Sequence, residues 1–211
     1  MKVQKTKVAF FGLLSATLLT ISCSKDKVEA TPIPSQAATY ASRADFFTIP
    51  DRSGTTISNV ASTINVQAQG IIGTPSKISI ELLLHHSNAD DLIAVLNLPS
   101  GENITLFRNA GSDNNFIVDN PVTFSSVGTV SLPTVASNID ILTATYKQSF
   151  NPINSNLIPS STSDLIDDVL INKNITGNWT LKIYDTKTNI RVSDYNFLFN
   201  WKIKFAEGAL K

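Results

Sequence analysis

The chain has one cysteine, Cys23, among its 211 residues. No disulfide can form within it, so the folded part must be held by its core. It has two histidines, His85 and His86. Adjacent residues on a strand point to opposite faces, so these two cannot easily serve one site. A histidine-based zinc site lacks further ligands at usable spacing. No serine or cysteine stands in a motif that would give a histidine base its nucleophile, so no catalytic residue is assigned and His86 is read as structural. Charge is scarce as well: 16% of residues are charged, against roughly 25% in an average globular chain. Formal net charge is +0. There is no basic block and no interleaving of aromatic with basic residues, which excludes nucleic acid as a partner.

What is present begins at the N-terminus. Lys2, Lys5 and Lys7 are the only charged residues before Cys23. Without them the chain has 14 basic and 17 acidic groups. Val8 to Ile21 is an apolar run of about 14 residues, short of the ~20 that an ordinary transmembrane helix needs. It ends in Leu19-Thr20-Ile21-Ser22-Cys23. This resembles a bacterial lipoprotein signal, with Thr20 in place of the usual Leu. The resemblance implies a signal peptide over 1–22, cleavage before Cys23, and lipidation of Cys23. Membrane attachment through the lipid anchor, in the bacterial cell envelope as an outer-membrane lipoprotein, follows from it. Several acyl chains, at ~0.8 kcal/mol per buried methylene, anchor firmly where one is marginal. A plain signal peptide, or a buried core cysteine, is the alternative. Residues 23–45, with Pro32 and Pro34, read as lipidated cysteine plus flexible linker, reaching roughly 25 Å as a coil. Ser24-Lys25-Asp26-Lys27 is either an export signal to the outer face or a solvated linker.

From Phe46 onward the pattern is β. Trp179, Leu181 and Ile183 alternate with Thr180, Lys182 and Tyr184. Phe197, Phe199, Trp201, Ile203 and Phe205 alternate with Leu198, Asn200, Lys202 and Lys204. Such period-two runs each give a strand with one apolar face. Ile78, Ile80, Leu82 and Leu84 do the same. Leu92 to Leu98 is almost wholly apolar, and Pro99 to Glu102 turns it into Ile104 to Phe107 as a hairpin. Shorter strands are expected at 57–60, 63–69, 122–124 and 129–132. One short helix is expected over Ser163 to Leu170, capped by Ser163. Many short strands separated by turns predict an all-β fold, a jelly-roll-like antiparallel β-sandwich.

Several of these elements together resemble the P domain, also called the P/Homo B domain. This is the jelly-roll module that follows the subtilisin-like catalytic domain of kexin- and furin-type proprotein convertases. Ile49-Pro50-Asp51, His86-Ser87-Asn88-Ala89-Asp90-Asp91-Leu92, Leu98-Pro99-Ser100-Gly101-Glu102 and Ser112-Asp113-Asn114-Asn115-Phe116 match its elements in order. Gly177 to Asp185 and Leu198 to Ile203 match its closing strands. Departures are Ser87 for Thr, Asp90 for Gly, Leu98 for Ser, and Phe124-Ser125-Ser126 for Phe-Asp-Asp. The stretch Ile139 to Asn174 is longer and less regular. The resemblance covers 46–206, with 207–211 left as a tail. It implies a module without catalytic residues, associated with serine-type endopeptidases, in a chain whose 211 residues leave no room for a catalytic domain.

Three functional readings follow. The first is a non-catalytic, membrane-anchored binding or accessory module that contacts a secreted protease, an envelope protein or a glycan. The second is an accessory domain acting in trans on a subtilisin-like protease. The third is a carbohydrate-binding or purely structural surface module, for which Tyr146, Phe150 and Tyr184 are the aromatic candidates. Calcium is the one cofactor weighed. Asp90, Asp91 and Asp113, with Asn88, Asn114 and Asn115 beside them and Asp119, Asp167 and Asp168 elsewhere, supply hard oxygens of the type it takes. Solvated loop acids are the alternative. The Asn-x-Thr runs at Asn103, Asn174 and Asn178 read as polar strand faces.

Overall fold

The structure is a computed structural model, and it describes residues 36–151, 157–158, 162–188 and 196–211. All belong to a compact unit spanning 32–211. The signal segment, Cys23 and the linker as far as residue 35 lie outside the described residues.

The described strands, in chain order, are β1 (Ala38–Ala41), β2 (Phe47–Thr48), β3 (Asn59–Val66), β4 (Ile78–His85), β5 (Leu92–Asn97) and β6 (Asn103–Arg108). They continue as β7 (Val122–Phe124), β8 (Ala144–Tyr146), β9 (Ser149–Phe150), β10 (Gly177–Asp185) and β11 (Phe197–Phe205). One sheet has the order β1-β11-β4-β7-β8, with β2 also on β11; the other runs β3-β10-β5-β6-β9. The chain hops between sheets so that β11 and β4 pair in one while β10 and β5 pair in the other. That is the jelly-roll arrangement, and the all-β sandwich expected from the sequence is present. One part of the expectation needs correcting: the sandwich is mixed. β7 pairs with β8 and β6 with β9 in parallel. Both are short edge additions reached by long irregular connections, which is what a parallel pair requires.

The alternating runs do what their period demands. Ile78, Ile80, Leu82 and Leu84 enter one core with Trp179, Leu181 and Ile183. Trp179 meets Phe205 of the opposite sheet edge-on at 6.3 Å. Its indole N–H donates to the Ile175 carbonyl at 2.8 Å, and that of Trp201 donates to Ser62 on β3 at 3.2 Å. Each buried indole thus has the polar partner it needs. The Leu98-to-Glu102 turn closes as expected, with Gly101 at φ 96° and Leu98 N–H donating to Glu102 O at 2.9 Å. β5 is buried on both faces because Ile93 and Val95 pack with Tyr184 and Ile158 outside the main core.

β11 departs from its expected face. A bulge between Leu198 and Asn200 shifts its register against β4. One extra residue flips the parity of everything on one side of it. Leu198 therefore points inward with Trp201, Ile203 and Phe205, while Phe197 and Phe199 are only half-buried. Phe46, 68% exposed, packs edge-on against both, and His85 stacks on Phe197. The linker and tail are also corrected. Ala38–Ala41, placed in the linker, pairs with β11 from Phe205 to Lys202. Ala209 is buried, and Leu210 bridges Ile72, so 207–211 is packed structure. The expected strand at 129–132 is reduced to a bridge from Val130 to Tyr146. Finally, the helix is only Ile166–Leu170 and has no side-chain cap of its own. Gln148 accepts from Ile166 N–H at 2.8 Å, and Ser163 instead accepts from Arg108.

Candidate functional site: a buried polar cluster beside an open cleft

Three stretches far apart in sequence end at the same place. β4 delivers His86, β10 delivers Asp185, and the segment after β2 delivers Asp51. β10 and β5 are in register so that Asp185 lies opposite Leu92, which sets Asp91 beside it. His86 and Asp185 are fully buried. His86 Nε2 lies 3.1 Å from Asp185 Oδ2, and Nδ1 faces the Asn88 backbone, 3.1 Å from its N and 2.9 Å from its O. Both ring nitrogens are engaged and neither meets solvent. These contacts hold the pair inside the fold. Asp185 Oδ1 also accepts from Lys187 N–H at 2.9 Å.

The charge of Asp185 is felt at the exposed rim. Burial raises the Asp51 pKa above its ordinary value, and the Asp185 charge and a carboxyl–carboxyl hydrogen bond to it raise it further. Lys187 bridges two carboxylates, 2.7 Å from Asp91 Oδ1 and 2.9 Å from Asp90 Oδ2. Burial opposes its charge, but the hydrogen bonds to Asp91 and Asp90 prevail and hold its pKa above the usual lysine value. The three calcium candidates stand in different surroundings. Asp90 and Asp91 share an ammonium group, and Asp113 is exposed on the following loop. Among the described residues, no three His, Cys, Asp or Glu side chains gather as metal ligands.

Next to this cluster lies a cleft of about 400 Å³. Its floor is the loop after β6, where Asn109 (φ 45°), Gly111 (φ 108°) and Ser112 (φ 51°) all take left-handed backbone. At Gly111 a side chain has no room: a Cβ there would lie 2.5 Å from Ala89 Cβ. Asn109 is 4% exposed. Its amide Nδ2 donates to Asp90 O and to Thr186 Oγ1, each at 2.7 Å, and Thr186 in turn donates to Asp91 O. The remaining walls carry Ser131, Thr134, Asn151 and Phe150. The Arg108 guanidinium lies 5.2 Å from the Phe150 ring centre. Sequence reasoning named Phe150 and Asp90 but missed Asn109, Ser112 and Thr134. The one available signal was the polar stretch from Asn109 to Asn115.

The other expected aromatic candidates do not face ligand. Tyr146 is buried with its hydroxyl donating to Leu142 O, and Tyr184 packs over β5. Asn103 and Asn178 sit on strands and bond Asn97 and Asn65 across them. Asn174 instead bridges Ile71, and its Oδ1 accepts from Thr176 N–H at 2.9 Å.

No family model matches the sequence, and no curated protein matches it. Among solved structures, a serine protease of Aeromonas sobria is similar at 11% identity and a TM-score of 0.42. A structure of the complex between Aeromonas sobria serine protease and its chaperone is similar at 11% identity and a TM-score of 0.41. Each match covers 80% of this chain and 26% of the other, so this chain spans about a quarter of the length it matches.

Proposed function

We propose that the domain is a non-catalytic binding or accessory module, held on the outer membrane of a bacterial cell by lipidated Cys23. The observation that carries this reading is the commitment of the buried His86, Asp185 and Asp91, with Lys187 at their rim, to one another, beside a cleft whose walls hold amides, hydroxyls and one carboxylate. A cleft with polar groups and no activated nucleophile is suited to holding a ligand. The lipid anchor rests on Lys2, Lys5, Lys7, the apolar run and Cys23. Labelled palmitate should enter the full chain and not Cys23→Ala, and envelope fractions should retain the first and lose the second. Equal labelling of the two would contradict the anchor. Hydrolysis of peptide, ester or glycoside substrates by the purified chain would contradict the non-catalytic reading.

A second reading keeps the P-domain resemblance: the module stabilises a subtilisin-like protease in trans. It is favoured by the meeting of Asp51, His86 and Asp185, each from a different matched element, in one cluster. Adding the full chain should raise the melting temperature of such a protease from the same envelope. An unchanged melting temperature and activity would end this reading.

A further inference from the structure

We infer that the cleft between the loop after β6 and the 131–134 segment binds a neutral carbohydrate. This rests on the binding-module reading and names the chemical class of its ligand.

The walls exclude charge selection. Among the described residues, no Lys or Arg side chain lines the cleft, and the one carboxylate that does, Asp90, already faces Lys187 at 2.9 Å through Oδ2. The cations nearest the walls are already engaged, Lys187 with Asp90 and Asp91 and Arg108 with the Phe150 ring, so a phosphate or sulfate would have to compete with carboxylates for Lys187, and a cationic ligand would have to displace it. What the walls offer is hydrogen bonding. Asp90 Oδ1 and Asn109 Oδ1 are buried acceptors with no hydrogen-bond partner among the described residues. The Asn109 orientation is fixed, because its Nδ2 donates to a backbone carbonyl that can only accept. Its Oδ1 must therefore take a donor from elsewhere. Ser112, Ser131 and Thr134 add side-chain hydroxyls, which both donate and accept. Acceptors in want of donors, set among hydroxyls, match a ligand dense in hydroxyl groups.

The apolar side of a sugar needs a different surface, and Phe150 provides one. Arg108, itself buried, sits over this ring, and β9 pairs Phe150 to Arg108 in register. The guanidinium holds the ring by cation–π attraction. A ring has two faces, and this one lines the cleft, where the C–H face of a pyranose can stack. The volume, about 400 Å³, lies within the ~300–1,000 Å³ range of small-ligand sites. Asn109 and Ser112 hold the floor in left-handed backbone, which is uncommon for non-glycine residues and most readily taken by Asn.

Calorimetric titration of the full chain in detergent micelles with a panel of neutral mono- and disaccharides tests this, with a hexuronic acid and a sugar phosphate as charged controls. At least one neutral sugar should bind saturably at millimolar concentration or below, and more tightly than either charged control. Phe150→Ala should weaken it about tenfold and Thr134→Val about fivefold. Thr134 is exposed, so that variant keeps the test valid if Phe150→Ala fails to fold. Thr63→Ala, on the outer face of β3, should leave binding unchanged. Saturable binding to no neutral sugar, or binding that survives Thr134→Val, overturns the inference. If the chain then captures an envelope protein in the same micelles, the binding-module reading stands and only the carbohydrate assignment falls.

Discussion

Asp90 and Asp91 are neighbours in sequence and share one lysine, yet they belong to different regions. Asp91 is fully buried, beside the His86–Asp185 pair, with Lys187 at 2.7 Å. Asp90 keeps a quarter of its side chain exposed and lines the cleft. The turn between Asn88 and Leu92 makes the division, turning one carboxylate inward and leaving the next at the edge. Burying a charge is costly unless it is paired and hydrogen-bonded, and such groups are then committed to the fold. Acidic residues side by side can thus differ entirely in what they are free to do. The cluster ties the turn before β5 to the end of β10, and the cleft beside it stays open.

This contrast can be broken at several points. The largest effect is expected in the cluster. His86→Ala leaves Asp185 buried without its partner and should cost about 3–5 kcal/mol in denaturant unfolding. Next comes the bulge of β11, which separates core from surface within one strand. Leu198→Ala should cost about 2–5 kcal/mol, and Phe199→Ser about 1 kcal/mol through its lost ring contact. Equal losses would mean that the strand does not change face there.

The rim of the cluster should show itself in pH dependence. Asp51 keeps its proton to higher pH in the folded chain than in the unfolded chain, where the ordinary value is 3.8. The folded state therefore binds more protons in this window, and stability falls as pH rises through the raised value. Asp51→Asn removes that fall. Relative to the natural chain, the variant should gain stability from pH 3.8 upward and keep the gain at neutral pH. A gain confined to acid would reverse the assignment. The smallest effect is expected in the cleft, where Thr134→Val should stay within about 0.5 kcal/mol of the natural chain.

Much of this fold was legible because alternation is a local signal. Ile78 to Leu84 and Trp179 to Ile183 announce their buried faces whatever their partners are. The Pro99-to-Glu102 turn likewise carries its own chemistry. What was not legible depends on pairing. Ala38–Ala41 is too short and mixed to read as a strand, and becomes one because β11 offers an edge. Leu198 and Phe199 exchange faces through a bulge that only the register with β4 defines. At the site, His86, Asp91 and Asp185 could be singled out within motifs. That Lys187 would take the place between Asp90 and Asp91 could not be, since it follows β10 and meets them only in the folded sandwich. Asn109 stood out only as the start of a polar stretch, because its role rests on a left-handed backbone and on Thr186, 77 residues away.

The division between a structural cluster and an open cleft is tested most directly by unfolding Asp185→Asn and Asp90→Asn side by side in denaturant at neutral pH. The two substitutions are chemically identical and differ only in place. Asp185→Asn should lose about 3 kcal/mol or more, and Asp90→Asn about 1 kcal/mol or less. Comparable losses, or a larger loss at Asp90, would show that the cleft wall and the buried cluster are a single structural unit and would contradict the account.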